Sequence, residues 1–269
     1  MSPMPKHPSF SNKQLLLTDL DSTVIFSHRH EHDDTCVWVE ELNGKRQSFM
    51  TSESYRFYHM QTAFEVVPLT TRCHEPYARL QTMTETLGWH HALICNGSIL
   101  LCDGQEDAAW RAESERLVQP YLEDLLRFKK IAEDAAGAEY VRYSEPFMFY
   151  IRGEKANAAG ELLKQAADPE RFIIHEYTRK VYCIPQIFSK GASAERYRKT
   201  FGYPVFFAAG DSEFDLPMLE RAAVGFCPEP LYERAPHPDK LCPCAEPFAD
   251  TVSRKLQEIA ETQEGVSID

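Results

Sequence analysis

The sequence predicts an α/β protein in which a parallel-sheet core carries an inserted α+β module. Two short apolar runs, Leu15-Leu16-Leu17 and Val205-Phe206-Phe207-Ala208-Ala209, have the length of buried strands, and each gives way to acids: Asp19 and Asp21 after the first, Asp211 and Asp215 after the second. Strand-like and helix-like segments alternate on both sides of the chain's middle, a pattern that calls for right-handed crossovers and parallel strands. The middle breaks this alternation, because a helix followed by two strands occurs twice there.

Each element follows from local signals. Residues 15–19 form the first strand. Segments 36–41 and 45–49 flank Asn43-Gly44, a strong hairpin signal. Ser52 caps a helix running to about residue 63, and 64–69 is a strand ending in Thr70-Thr71-Arg72. A helix over 75–87 stops at Gly88. Residues 92–95 form the next strand, ending at Asn96-Gly97. Residues 108–136 are helical with a break near Pro120. Strands at 140–144 and 147–152, a helix at 157–167 and strands at 172–177 and 180–184 complete the middle module. Strands at 205–209 and 222–227 return to the core pattern. With hinges at Asn96-Gly97 and Pro185, the expected division is 1–97 and 186–269 for the core and 98–185 for the inserted module.

Composition narrows the function. The 269 residues carry 41 acidic and 29 basic side chains, a formal charge of −12. Such a surface repels nucleic acid and anionic membranes, so neither is an expected partner. An anionic substrate then requires a local positive site or a metal. No apolar run approaches the roughly 20 residues that span a bilayer. Residues 1–12 are polar, with prolines at 3, 5 and 8 and no apolar signal core. Scattered cysteines within apolar runs fit buried thiols in a reducing cytoplasm. Cys242-Pro243-Cys244 lacks the further ligands of a zinc site. His28, His30 and His32 alternate; in a strand they could hold a transition metal, and otherwise they belong to a solvated loop.

Asp19 and Asp21 carry the most chemistry. One residue apart at a strand's end, both carboxylates can reach one site where open α/β sheets bind ligands. Clustered carboxylate oxygens suit a hard ion such as Mg²⁺. Thr70 ends another strand, Lys190 opens a helix in Phe188-Ser189-Lys190-Gly191, and Asp211 and Asp215 follow a third strand in Gly210-Asp211-Ser212-Glu213-Phe214-Asp215. Singly, each has an ordinary reading: a strand-end hydroxyl, a solvated ammonium, a helix cap. Together they can handle a phosphate ester, with a carboxylate to attack phosphorus, a hydroxyl and an ammonium to hold its oxygens, and a metal to offset negative charge.

These four segments, in this order, resemble the motifs of the haloacid dehalogenase superfamily of phosphohydrolases. The position of the insertion and Asp215-Leu216-Pro217-Met218-Leu219 resemble its Cof-type, C2-capped branch, and the Gly210-Asp211-Ser212 stretch is similar to the sucrose-phosphate and mannosyl-3-phosphoglycerate phosphatases. The resemblance implies a Rossmann-like core with a C2-type cap and Mg²⁺-dependent hydrolysis of a small phosphorylated metabolite, a phosphosugar above all. It implies Asp19 as nucleophile and Asp21 as general acid and base. Mg²⁺ would be held by Asp19, the backbone carbonyl of Asp21 and Asp211. Thr70 and Lys190 would hold the phosphoryl group, and Asp215 would orient Lys190 or a metal-bound water. Arg72, Tyr177 and Arg179 are candidate substrate contacts, as is His175, which alternates with the last two along one strand.

Two positions depart from the family pattern. Ser22 stands where glycine is usual, and Phe214 where the C2-capped branch has asparagine. Transfer of the phosphoryl group to another acceptor is an alternative to hydrolysis. A catalytically silent phosphometabolite-binding protein is another.

Overall fold

A computed structural model describes residues 13–264 apart from positions 145 and 178. The polar stretch 1–12 therefore lies outside the described residues. In chain order the elements begin with β1 (Gln14–Thr18), β2 (Phe26–Ser27), β3 (Val37–Leu42), β4 (Lys45–Met50), α1 (Ser52–Met60), β5 (Phe64–Pro68), α2 (His74–Ala78), α3 (Gln81–Thr86), β6 (His91–Ile94), β7 (Ile99–Cys102) and β8 (Gln105–Glu106). Then come α4 (Ala108–Val118), α5 (Leu122–Ala136), β9 (Val141–Ser144), β10 (Met148–Arg152), α6 (Ala156–Ala166), β11 (Phe172–Tyr177) and β12 (Lys180–Pro185). The chain closes with α7 (Lys190–Phe201), β13 (Phe206–Ala209), α8 (Leu216–Leu219), β14 (Gly225–Pro228), α9 (Glu229–Tyr232), β15 (Leu241–Cys244) and α10 (Phe248–Glu264).

The core is a parallel sheet in the order β15-β14-β13-β1-β5. A parallel bridge between Leu69 and Leu93 carries it on toward β6. β1 is buried on both faces. Leu16 packs with Tyr58 of α1 and Leu256 of α10, while Leu15 and Leu17 pack with Tyr197 of α7 and Leu219 of α8. A strand covered on both sides must be apolar throughout, so this segment is a continuous run and not an alternating one.

The inserted sheet is antiparallel, in the order β11-β12-β10-β9. Phe149, Ile151, Val181 and Cys183 face Leu125, Phe128, Ala159 and Leu163 of α5 and α6. The two-residue period puts His175, Tyr177, Lys180, Tyr182 and Tyr150 on the other face, with His175 paired to Tyr182 and Tyr177 to Lys180. That face is turned toward the core. The hairpin β3–β4, with β2 beside β4, forms a third small sheet.

Several expectations are adjusted. The helix expected over 75–87 is two helices, because Leu80 turns fully inward and its N–H bonds Tyr77 O at 2.8 Å, three residues back instead of four. Thr51, not Ser52, caps α1, its hydroxyl accepting the Ser54 N–H at 3.2 Å. Helix α1 ends at Met60, where the Gln61 side chain takes the Phe64 N–H at 2.9 Å. β7 and β8 were not anticipated; β7 returns antiparallel on β6. Cys242-Pro243-Cys244 lies in the edge strand β15, where the missing proline N–H is tolerated. His28, His30 and His32 lie exposed in the loop before β3. Among the described residues no helix is long and apolar enough to cross a membrane.

Candidate active site

Three neighbouring parallel strands, β5, β1 and β13, end along one edge of the sheet. Asp19 N–H donates to Ala209 O at 2.9 Å, and Leu69 N–H donates to Thr18 O at 2.8 Å. Asp19, Thr70 and the Gly210-Asp211 turn therefore leave the sheet side by side, at its carboxyl edge. The start of α7 meets them there, capped by Ser189, whose hydroxyl accepts the Ala192 N–H at 3.3 Å.

Lys190 joins two of these segments. Its side chain is 2% exposed, and its Nζ lies 2.5 Å from Asp19 Oδ1 and 2.5 Å from Asp215 Oδ1. The other oxygen of Asp215 accepts the Ser212 N–H at 3.1 Å and the Ser212 hydroxyl at 2.8 Å. Two glycines allow this convergence. A Cβ on Gly210 would sit 2.4 Å from the Asp215 Cβ, and one on Gly191 would sit 2.3 Å from Pro217 O. Any side chain there would force the aspartate turn and the lysine helix apart.

One carboxylate oxygen from each of Asp19, Asp211 and Asp215 lies within 4.8 Å of the others, the one such group able to hold a metal among the described residues. The donors are all oxygen, which fits a hard divalent cation. Charge points the same way, since three carboxylates face a single ammonium. Burial raises Asp19, the Lys190 charge lowers it, and Asp215 and Asp21 raise it again, leaving it at about 7. Burial, then Asp19 and Asp215, push Asp211 up to about 8 against the pull of Lys190. Burial works against the Lys190 charge, but Asp19 and Asp215 outweigh it and hold the group above the ordinary lysine range. A cation among these oxygens would favour the ionised form of both raised carboxyls.

The Asp21 carboxylate is not one of this group. Arg72 grips it with two parallel bonds, Nε to Oδ2 at 2.8 Å and Nη2 to Oδ1 at 2.7 Å. Arg72 also reaches Glu40 Oε2 at 3.0 Å and Pro76 O at 3.0 Å. Its guanidinium, suggested by the sequence as a substrate contact, is thus engaged by three protein groups. Thr70 N–H bonds Leu93 O at 3.0 Å, and its hydroxyl accepts the Arg72 N–H at 3.1 Å.

The inserted sheet closes over this edge. The His175 ring stacks on Phe214, centroids 4.4 Å apart, and the Tyr182 ring lies 6.4 Å from the same phenyl. Tyr177 Oη is 3.5 Å from Ser22 Oγ; burial raises its phenol, and the charges of Asp211, Asp21 and Asp19 add to the rise. Arg179, by contrast, follows the end of β11 and pairs with exposed Glu154 at 3.0 Å. Ser22 has φ of 63°, in the region that favours glycine. Sequence reasoning missed Glu40 and Lys180. The one signal for Glu40 was weak: an acid directly after the apolar run Val37-Trp38-Val39, followed by a second acid, Glu41.

Comparison with solved structures places this architecture. The sucrose-phosphatase of Synechocystis, solved with sucrose and phosphate, is 17% identical and superposes with a TM-score of 0.60 over 92% of this chain and 98% of that one. A haloacid dehalogenase-like hydrolase from Bacteroides thetaiotaomicron is 14% identical, with a TM-score of 0.54 over 92% and 99% of the two chains. A trehalose-6-phosphate phosphatase from Aspergillus fumigatus is 10% identical, with a TM-score of 0.53 over 93% of each. The chain therefore has the fold of the haloacid dehalogenase-like hydrolases: a Rossmann-like core with an inserted α+β cap. No family model matches the chain, and no curated protein matches it.

Proposed function

We propose that the protein is a Mg²⁺-dependent phosphatase of a small phosphorylated metabolite, a phosphosugar, working through an aspartyl-phosphate in the cytoplasm. The observation that carries this reading is Lys190 held between Asp19 and Asp215 beside Asp211, a constellation whose most distant members, Asp19 and Asp215, are 196 positions apart in the chain. The matched folds include phosphatases of phosphorylated disaccharides. Residues 1–97 and 186–269 are taken as the core and 98–185 as the cap, with β7 remaining hydrogen-bonded to β6 of the core.

In this mechanism a carboxylate oxygen of Asp19 attacks phosphorus, and the bond to the leaving oxygen breaks. Lys190 and the Thr70 hydroxyl hold phosphoryl oxygens as charge builds on them. Asp21 gives its proton to the leaving alcohol, then takes one from the water that cleaves the aspartyl-phosphate. Asp19, Asp211 and the backbone carbonyl of Asp21 would hold Mg²⁺, which supplies charge neutralisation at the phosphoryl group. Asp215 acts through Lys190, fixing its ammonium beside the nucleophile. Tyr177 is the cap residue best placed to meet a leaving group.

Phosphate release from an aryl phosphate and from a panel of phosphosugars, with Mg²⁺ and with EDTA, tests the proposal. Asp19→Asn should abolish turnover with its thermal melt retained. Full activity in that variant would remove the nucleophile assignment. Added alcohols that divert the product to new esters would favour phosphoryl transfer instead.

A further inference from the structure

We propose that Glu40, on the β3–β4 hairpin, is a positioning residue for acid–base catalysis: it fixes Arg72, and Arg72 fixes the carboxyl of Asp21. The inference rests on the phosphatase reading for the work that Asp21 does.

Glu40 is a buried charge on the β3–β4 hairpin, its side chain 3% exposed. Burying a carboxylate is costly unless its lone pairs are met. Here they are met three times. Oε2 accepts the Ser48 hydroxyl at 2.7 Å and Arg72 Nη2 at 3.0 Å, and Oε1 accepts Arg79 Nε at 2.7 Å. The strand pairing of β3 with β4 slips on both sides of Glu40. Such irregularities re-aim a side chain, and this one turns Glu40 inward toward the loop after β5.

The consequence falls on Asp21. Arg72 Nη2 is shared between Asp21 Oδ1 and Glu40 Oε2, so Glu40 opposes the rotation that would break the two-pronged grip. Glu40 also balances charge. Arg72 and Lys180 act on Asp21 from the loop after β5 and from β12, Tyr177 and Tyr182 face it from the cap, and Arg79 lies close behind. The hairpin is thereby tied to the orientation of the proposed acid.

Glu40→Gln, which keeps shape and removes charge, tests this with two substrates. A hexose phosphate needs its leaving oxygen protonated, whereas dinitrophenyl phosphate departs with little help. A positioned acid contributes about 10²–10⁴-fold. The expected result is a fall in kcat of about tenfold or more on the hexose phosphate, a clearly smaller fall on the dinitrophenyl ester, and little change in KM. In an Asp21→Asn background the selective effect should vanish. Equal loss on both substrates, or no loss, would overturn the proposal. If Glu40→Gln does not fold, Arg79→Met should show the same selectivity in weaker form, and its absence would count equally against Glu40. If the unaltered protein hydrolyses neither ester, the phosphatase reading fails by itself. The positioning claim is then judged by a crystal structure of the variant, where a retained two-pronged Arg72–Asp21 pair would refute it.

Discussion

The imidazole of His175 lies stacked on the phenyl ring of Phe214, 23° from parallel with centroids 4.4 Å apart. His175 belongs to the cap and Phe214 to the turn carrying Asp211 and Asp215. Phe214 thus serves as an apolar dock for the cap. The aromatic contact is worth about 0.5–1.5 kcal/mol beyond the area it buries. Phe214→Asn should lower the midpoint of urea unfolding and expand the molecule in small-angle scattering. An unchanged scattering profile and midpoint would show that the stack does not hold the cap down.

The carboxylate cluster predicts a metal effect that needs no turnover to detect. Asp19, at about 7, and Asp211, at about 8, both stand above their ordinary 3.8. An acid raised in the folded state binds more protons there than when unfolded, so its stability contribution is present at low pH and lost as pH rises through the folded value. The metal-free protein should therefore lose stability between about pH 4 and 8, from the unfolded value of these acids to their folded values. Mg²⁺ at a hundredfold excess over its Kd should add about 2.7 kcal/mol. Asp211→Asn should blunt both effects. Thermal melts with Mg²⁺ and with EDTA across that range provide the check, and curves that coincide would remove the metal site.

Glu40 predicts the opposite pH dependence. Burial raises its carboxyl, but the hydrogen bonds and charge of Arg72, with Ser48 and Arg79, outweigh that and leave it below the ordinary 4.5. An acid lowered in the folded state stabilises above its unfolded value, and that stability is lost as pH falls through the folded one. Acid unfolding below about pH 4.5 should be shallower in Glu40→Gln, which at neutral pH is less stable by about 3 kcal/mol because two arginines lose a buried partner. Chemical denaturation at pH 7 and pH 4 measures both quantities. A variant as stable as the parent at pH 7 would show the pair of arginines to be solvated.

Ser22 predicts a gain. At φ of 63° a side chain is strained and glycine is not. The hydroxyl contact to Tyr177, at 3.5 Å, is at the limit of a hydrogen bond and offsets little. Ser22→Gly should stabilise the protein by about 0.5–1 kcal/mol in urea unfolding. A loss of stability would mean that the serine hydroxyl holds this turn.

The core strands were legible because burial on both faces demands uninterrupted apolar runs, as in Leu15-Leu16-Leu17 and Phe206-Phe207-Ala208-Ala209. The candidates at their ends were legible because few residue types could serve the proposed phosphoryl chemistry, and Asp19, Asp21, Thr70, Lys190 and Asp211 are among them. The break in the helix at Leu80 was not legible, since it depends on a side chain being drawn inward by neighbours far away in sequence. Nor was the fate of Arg72: its sequence context is that of a free cation beside a binding site, and Glu40, 32 residues distant, turns it into a clamp on Asp21.

By itself, then, the sequence determined the buried core strands, most of the helices around them and the kinds of group brought to the carboxyl edge of the sheet, because periodicity and side-chain chemistry are local properties. Only the tertiary structure decided which charges meet. Whether Lys190 lies between Asp19 and Asp215, whether Phe214 faces solvent or His175, and which carboxylates share Arg72 all depend on distances between segments that the chain separates and packing joins.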